Sequence, residues 1–199
     1  MEDQTLEQKI KKAAVPSGLI YGIVSLVMAI AAFYYIVGVA NSLVGLTVVP
    51  FILSVIVPIA AAVFLTLDLR KRIGGFWNFR QAVTGIFIVF FIGFWVSYLG
   101  RDFLFAKLIE PDMVTKTENA FVAPMTKMLE KSGADQDKID QQLDKFKQNF
   151  ETQKVMTVGS VVKNVTIAII LTFVFSLIFA AIFKREPPLF DTPVEEATT

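Results

Sequence analysis

From residue 13 to residue 67 the chain carries no charged side chain, a run of 55 residues. About 20 apolar residues cross the ~30 Å hydrocarbon core of a bilayer as a helix. As a single helix the run would be roughly 80 Å long at 1.5 Å per residue, so it must fold back on itself. The reversal is marked at Gly38 to Gly45, where Asn41 and Ser42 join the two glycines. Two further uncharged runs, 81–100 and 164–183, are each 20 residues long, enough for one crossing apiece. The pattern predicts helices near Val15–Val37, Leu46–Leu67, Gln81–Phe103 and Val158–Phe183. Segments such as IFIVFFIGFWV are apolar on every face, whereas a barrel strand needs a polar residue at every second position. In lipid a helix satisfies its own backbone within one segment. The expected fold is therefore all-α: a polytopic membrane protein with four transmembrane helices. The first run is too long for the apolar part of a secretory signal, and no small-residue cleavage site follows it, so it is expected to remain as a helix.

Orientation follows from Lys and Arg in the short loops. Arg70, Lys71, Arg72 and Arg80 occupy the second loop, and the first loop, Gly38–Gly45, has none. Lys9, Lys11 and Lys12 precede the first helix, and Lys184 and Arg185 follow the last. With four crossings all of these share one side, which the positive-inside rule makes cytoplasmic. The long third loop also holds lysines, but they are dilute and mixed with Asp and Glu. Both termini are thus expected in the cytoplasm and the third loop outside it. Phe76, Trp77 and Phe79 are expected in the cytoplasmic aromatic belt, with Trp95 and Tyr98 near the outer one.

The third loop has helical periodicity. Ile139, Leu143, Phe146 and Phe150 recur at helical spacing, and Val122, Met125 and Leu129 form a matching stripe upstream. Between them, Gly133 is a helix stop and Asp135 an N-cap. An antiparallel hairpin pairs Leu129 with Ile139, Met125 with Leu143 and Val122 with Phe146. Pro111 fits the first turn of the first arm, Pro124 predicts a kink or break in it, and the second arm is expected to run directly into the fourth membrane helix. The expected organisation is a cytoplasmic segment over 1–14, transmembrane helices 1–3 with short loops over 15–109, and an extracytoplasmic helical hairpin over 110–157. Transmembrane helix 4 follows over 158–183, then a disordered cytoplasmic tail over 184–199, which is rich in Pro and ends acidic.

Little in the sequence carries chemistry. With no Cys and no His, thiolate and imidazole metal sites, Cys nucleophiles and Ser-His-Asp triads are excluded. The 19 Lys and Arg are balanced by 18 Asp and Glu, which leaves no basic face for nucleic acid. No catalytic, cofactor-binding or metal-binding residue is expected. Asp135, Asp137, Asp140 and Asp144 alternate with lysines and lack the glycine of a calcium loop, so they read as a solvated helix face. Arg101, Asp102 and Lys163 form a candidate charge cluster at the edge of the bilayer, with Asp102 beside Lys163. Gly18, Gly22, Gly85, Gly93 and Ser97 are candidates for close helix packing, inside one protomer or at a homodimer seam. Asn164, Thr166, Thr172 and Ser176 are candidates for hydrogen bonds between helices, and Pro50 and Pro58 for kinks in the second helix. The candidate interaction surface is the stripe Ile139, Leu143, Phe146 and Phe150.

A transmembrane hairpin leads into the turn GGFWNFRQA, Gly74 to Ala82; IEPD follows at Ile109 to Asp112, then the amphipathic hairpin and a last helix ending in basic residues. In this order the parts resemble a bacterial family of small membrane proteins named only as domain of unknown function 4199, over roughly residues 12–185. The family's turn reads GGYxSFxQA and its later element I-x-P-D; this chain departs from the pattern at Trp77–Asn78 and at Pro124. The resemblance implies an architecture and an inner-membrane location. It implies no catalytic residue, and associates the family with polyprenyl-linked glycosyltransferases and other envelope functions. The resulting expectation is a non-enzymatic accessory subunit of an envelope complex, in contact with the lipid bilayer and another membrane or envelope protein. The alternative is a small transporter or lipid-handling subunit.

Overall fold

A computed structural model describes residues 5–133, 135–154 and 157–186. Seven α-helices account for nearly all of the described chain: α1 Leu6–Gly38, α2 Leu43–Phe51, α3 Val57–Arg72, α4 Phe79–Tyr98, α5 Met113–Lys131, α6 Gln136–Lys154 and α7 Val158–Phe183. Two π-helical segments, Ile52–Ile56 and Leu99–Ile109, join α2 to α3 and extend α4. Four stretches are long and apolar enough to cross a membrane: Leu6–Gly38, Leu43–Arg72, Phe79–Ile109 and Val158–Phe183. The last coincides with the expected helix. The others run longer, because polar or charged flanks continue the same helix beyond the apolar run.

The spans form an arc in the order α3, α1, α4, α7. Helix α1 packs against α3 on one side and α4 on the other, and α7 packs on α4. The helices α1 and α4 run parallel and in register. Ile10 lies against Gly85, Ile92 against Gly18, Val96 against Gly22, and Phe33 against Phe105. Close approach requires the glycines: a Cβ on Gly18 would fall 2.8 Å from the Cβ of Ile92, and one on Gly93 would collide with the Tyr21 ring. Small residues let backbones touch where lipid offers no hydrophobic drive for association.

Several sequence expectations are corrected. The N-terminal segment is not separate from the first helix: α1 begins at Leu6, and Ile10 and Ala14 are buried in the core. Trp77 is not a belt residue; it is 1% exposed, whereas Phe76 and Phe79 remain outside. Helix α5 continues through Pro124 without a break, and Pro111 sits in the turn before it, with Asp112 at the N-cap. Helix α6 does not run into α7. Thr157 starts α7 anew in extended geometry, and its hydroxyl accepts from the Ser160 amide 3.1 Å away. Gly74, Gly75 and Gly133 have positive φ (110°, 85° and 73°), the turn and stop geometry their positions predict. The tail's start is held through Arg185; residues 187–199, on which the expectation of disorder falls, lie outside the described residues.

Candidate functional site

The two prolines of the second span shape its interior. Pro50 and Pro58 each lack the N–H that would bond one turn back, and the helix between them widens into the π-helical segment Ile52–Ile56. Ser54 sits at the centre of this segment, facing a cavity of about 400 Å³ between α3 and α7. The cavity walls are mostly apolar, with Tyr21, Pro58, Phe94 and Phe179 among them, and Ser25, Ser54, Ser97 and Thr172 supply hydroxyls. Two of these hydroxyls are already used: Ser25 donates to the Tyr21 carbonyl at 2.8 Å, and Ser97 donates to the Gly22 carbonyl at 3.0 Å, tying α4 to α1. A second cavity of about 120 Å³ begins one helical turn further on, where Ala29 follows Ser25, Arg101 follows Ser97 and Pro50 precedes Ser54. Ser54 lines both, and Met113 and Thr117 of α5 close the second.

At the basic end, near Arg70–Arg72, the arc is shut. The Trp77 indole N–H donates to the Phe183 carbonyl at 2.9 Å, and Arg70 donates to the same oxygen at 3.3 Å. Trp77 and Arg185 exchange both backbone hydrogen bonds, at 2.8 and 3.1 Å. The positive-φ turn at Gly74–Gly75 aims Trp77 inward, where the ring lies close to Gly85 and joins Leu69, Ile86 and Ala180 in one core. The final helix is thus capped at its C-terminus by the turn that joins α3 to α4. Asn78 and Gln81 form a capping box that starts α4 immediately after this latch, with both bonds at 2.9 Å.

At the opposite end Glu110 clasps two elements. It accepts from the Tyr34 hydroxyl of α1 at 3.2 Å and pairs with the Lys116 ammonium of α5. The hydrogen bond from Lys116 holds the Glu110 carboxyl below the usual carboxylate range, and the same bond raises Lys116. Helix α5 is thereby docked over the cavity that Arg101 lines.

A family profile described as "Protein of unknown function (DUF4199)" matches residues 16–185. The chain belongs to this family. No curated protein and no solved structure matches the chain. The two segments that carried the DUF4199 resemblance now have structural roles: Gly74–Ala82 forms the latch on α7, and Ile109–Asp112 supplies the Glu110 clasp.

Among the described residues no salt bridge joins Asp102 to Lys163, which is exposed on α7. Helix α7 packs on the α-helical part of the third span, where Phe87 meets Phe173 and Phe90 meets Phe179. Gly18, Gly22, Gly93 and Ser97 meet within this chain at the α1–α4 contact, and Gly85 meets Ile10 and Trp77. Ile139 is 2% exposed, Leu129 is buried as well, and Leu143, Phe146 and Phe150 are half-buried. Phe146 lies 6.0 Å from Phe121 and 4.9 Å from Phe150, centroid to centroid. Among the described residues no cluster of acidic side chains suits a metal ion.

Sequence reasoning missed Ser54, Glu110, Lys116 and Thr66. The Thr66 hydroxyl is buried at the basic end with no hydrogen-bond partner among the described residues. Ser54 could have been found from the Pro50–Pro58 spacing, because two prolines eight residues apart leave the helix between them short of backbone donors.

Proposed function

We propose that this DUF4199 protein is a non-enzymatic accessory subunit of a bacterial envelope complex. It lies in the inner membrane with both termini cytoplasmic and presents α5 and α6 outside. One observation carries the reading: outside the spans, the described polar chain is concentrated in the α5–α6 pair, and α6 packs chiefly on α5. The α5 helix is docked on α1 and α2 and clasped by Glu110, so the pair is a fixed platform with one outward helix rather than a slack connection. Helix α6 shows Asp137, Lys138, Asp140 and Lys147 to the surroundings, and Phe146 and Phe150 keep a half-exposed apolar edge. A partially covered apolar strip flanked by charges is the arrangement a partner helix recognises.

The orientation is tested in a chain with no native cysteine. A membrane-impermeant thiol reagent added outside should label Lys138→Cys and spare Lys71→Cys; the reverse pattern overturns the topology. The partner reading is tested by purification from native membranes. A stoichiometric partner should be retained by the wild type and lost in Phe146→Glu, while a Met125→Cys/Leu143→Cys pair still oxidises, as it does when Cα atoms lie within ~7 Å. If the disulfide is lost together with the partner, the stripe is only the pair's own core and the reading fails.

A further inference from the structure

We propose that the groove between α3 and α7 holds one acyl chain of an anionic phospholipid, with the lipid phosphate against Arg101. Along α7 the groove runs from Ala168 to Phe179, about 16 Å at 1.5 Å per residue. Over that length it holds about 400 Å³ of free space between mostly apolar walls. A polymethylene chain, whose carbon contacts settle at about 3.5–4.0 Å, fits such a channel. Beyond the Arg70–Phe183 bond α3 and α7 do not pack closely on each other, so a chain enters between them from the bilayer without unfolding the arc.

The head end is built differently. One turn beyond the hydroxyls of Ser25 and Ser97 lies the smaller cavity lined by Arg101, and Ser54 borders both spaces. Asp102 lines neither cavity, and no salt bridge joins Arg101 to a described carboxylate. A guanidinium is always charged and matches phosphate oxygens in a two-pronged geometry. The third span, Phe79–Ile109, overshoots a ~30 Å core by about 8 Å at each end, which puts the Arg101 backbone about 4 Å inside the edge of the core, from where its long side chain reaches up toward the lipid phosphates. Both departures from α-helix flank this junction, with Ser54 in one and Arg101 in the other. Such widened turns recur at functional sites because they re-aim side chains that a regular helix would point elsewhere.

The inference is independent of the accessory role and is tested on the full chain in mild detergent. The protein is exposed to phosphatidylglycerol or to phosphatidylcholine of identical chains, and bound lipid is read by native mass spectrometry. The expected result is one phosphatidylglycerol per chain, retained in preference to phosphatidylcholine. Arg101→Gln should reduce that preference about five-fold, the worth of one cation at an anionic lipid. Ala168→Trp, which fills the groove, should lower retention of both lipids. Leu108→Trp, on the 75% exposed outside of the same span as Arg101, should change neither. Should Ala168→Trp fail to give a helical, monodisperse protein, Thr172→Phe fills the same channel, and the Arg101→Gln selectivity reads independently of both. Equal retention of the two lipids by the wild type, or an unchanged preference in Arg101→Gln, overturns the proposal. So does displacement of the lipid by inorganic phosphate alone, or a lipid-free dimer as the main species.

Discussion

The two ends of the helical arc obey different rules. At the basic end, α1, α3, α4 and α7 converge on Trp77, with Ile10, Leu69, Ala82 and Ile86 all at or below 1% exposure. There the last helix is fastened through its own terminal carbonyl, a bond available wherever α7 ends. At the opposite end α3 and α7 part, both helices that border the gap with Arg101 and Ser54 turn π-helical, and hydroxyls and a cation replace methyl groups. A bilayer gives helices no hydrophobic reason to associate, so tightness has to be made by shape and hydrogen bonds. Where neither is supplied, the fold opens, and the difference between the ends marks where a small occupant can be accommodated without loss of the scaffold.

The largest test of that contrast compares Trp77→Ala with Phe94→Ala. Trp77 fills a dry core and its removal leaves a cavity, which costs about 3–5 kcal/mol. Phe94 borders space that is already open, so its truncation should cost clearly less than the tryptophan change. Trp77→Phe separates ring from hydrogen bond. It keeps most of the volume and should lose about 1 kcal/mol, since Phe183 still accepts from Arg70. Thermal unfolding in detergent, followed by helical circular dichroism, gives the order wild type, Trp77→Phe, Trp77→Ala. Equal losses for Trp77→Ala and Phe94→Ala would erase the difference between the ends.

How much of this could be read in advance differs along the chain for physical reasons. The end of α7 was legible because Lys184 and Arg185 close its apolar run; its start was expected to continue α6, and the Thr157 cap that separates them carries no hydropathy signal. The beginning of α1 was not, since Lys9, Lys11 and Lys12 mark the end of the apolar run, while the helix has no reason to stop where hydropathy does. Trp77 read as an interfacial aromatic because composition places it in a basic turn; its inward direction is set by two positive-φ glycines and by the distant end of α7. The glycine stripes were legible as close contacts, and only the packed structure shows α4 to be the neighbour of Gly18 and Gly22.

A change of opposite sign sharpens the description of the closed end. Thr66 is 1% exposed there, with its hydroxyl unbonded among the described residues. Thr66→Val removes the buried oxygen at nearly constant volume. The variant should therefore gain about 1 kcal/mol, read as a higher unfolding midpoint, because the desolvation penalty of an unmade hydrogen bond disappears. A loss of stability would mean that the hydroxyl is satisfied and that this end is less dry than its packing indicates.

The smallest effect belongs to the Glu110 clasp, which positions α5 over the open end without holding the arc together. The Glu110 carboxyl lies below its ordinary value because Lys116 hydrogen-bonds its charged form. A depressed carboxylate contributes stability that is present above its ordinary value and is lost as pH falls through its lower folded value. Lys116 is raised, so its share is present below the ordinary lysine value and fades as pH rises above it. The clasp is therefore closed across neutral pH and released by acid. Spin labels at Gly38→Cys, an open position at the end of α1, and Lys127→Cys, exposed on α5, report the docking. Their distance distribution should be narrow at pH ~7 and broader at pH ~2, well under the ordinary glutamate range so that the lowered Glu110 is also protonated, while the helical signal and the Trp77 environment stay unchanged. Glu110→Gln should be broad at both values, because the neutral amide keeps a hydrogen bond but not the ion pair. A distribution that is pH-independent in the wild type would show that packing of α5 on α1 and α2, and not this charge pair, fixes the platform over the groove.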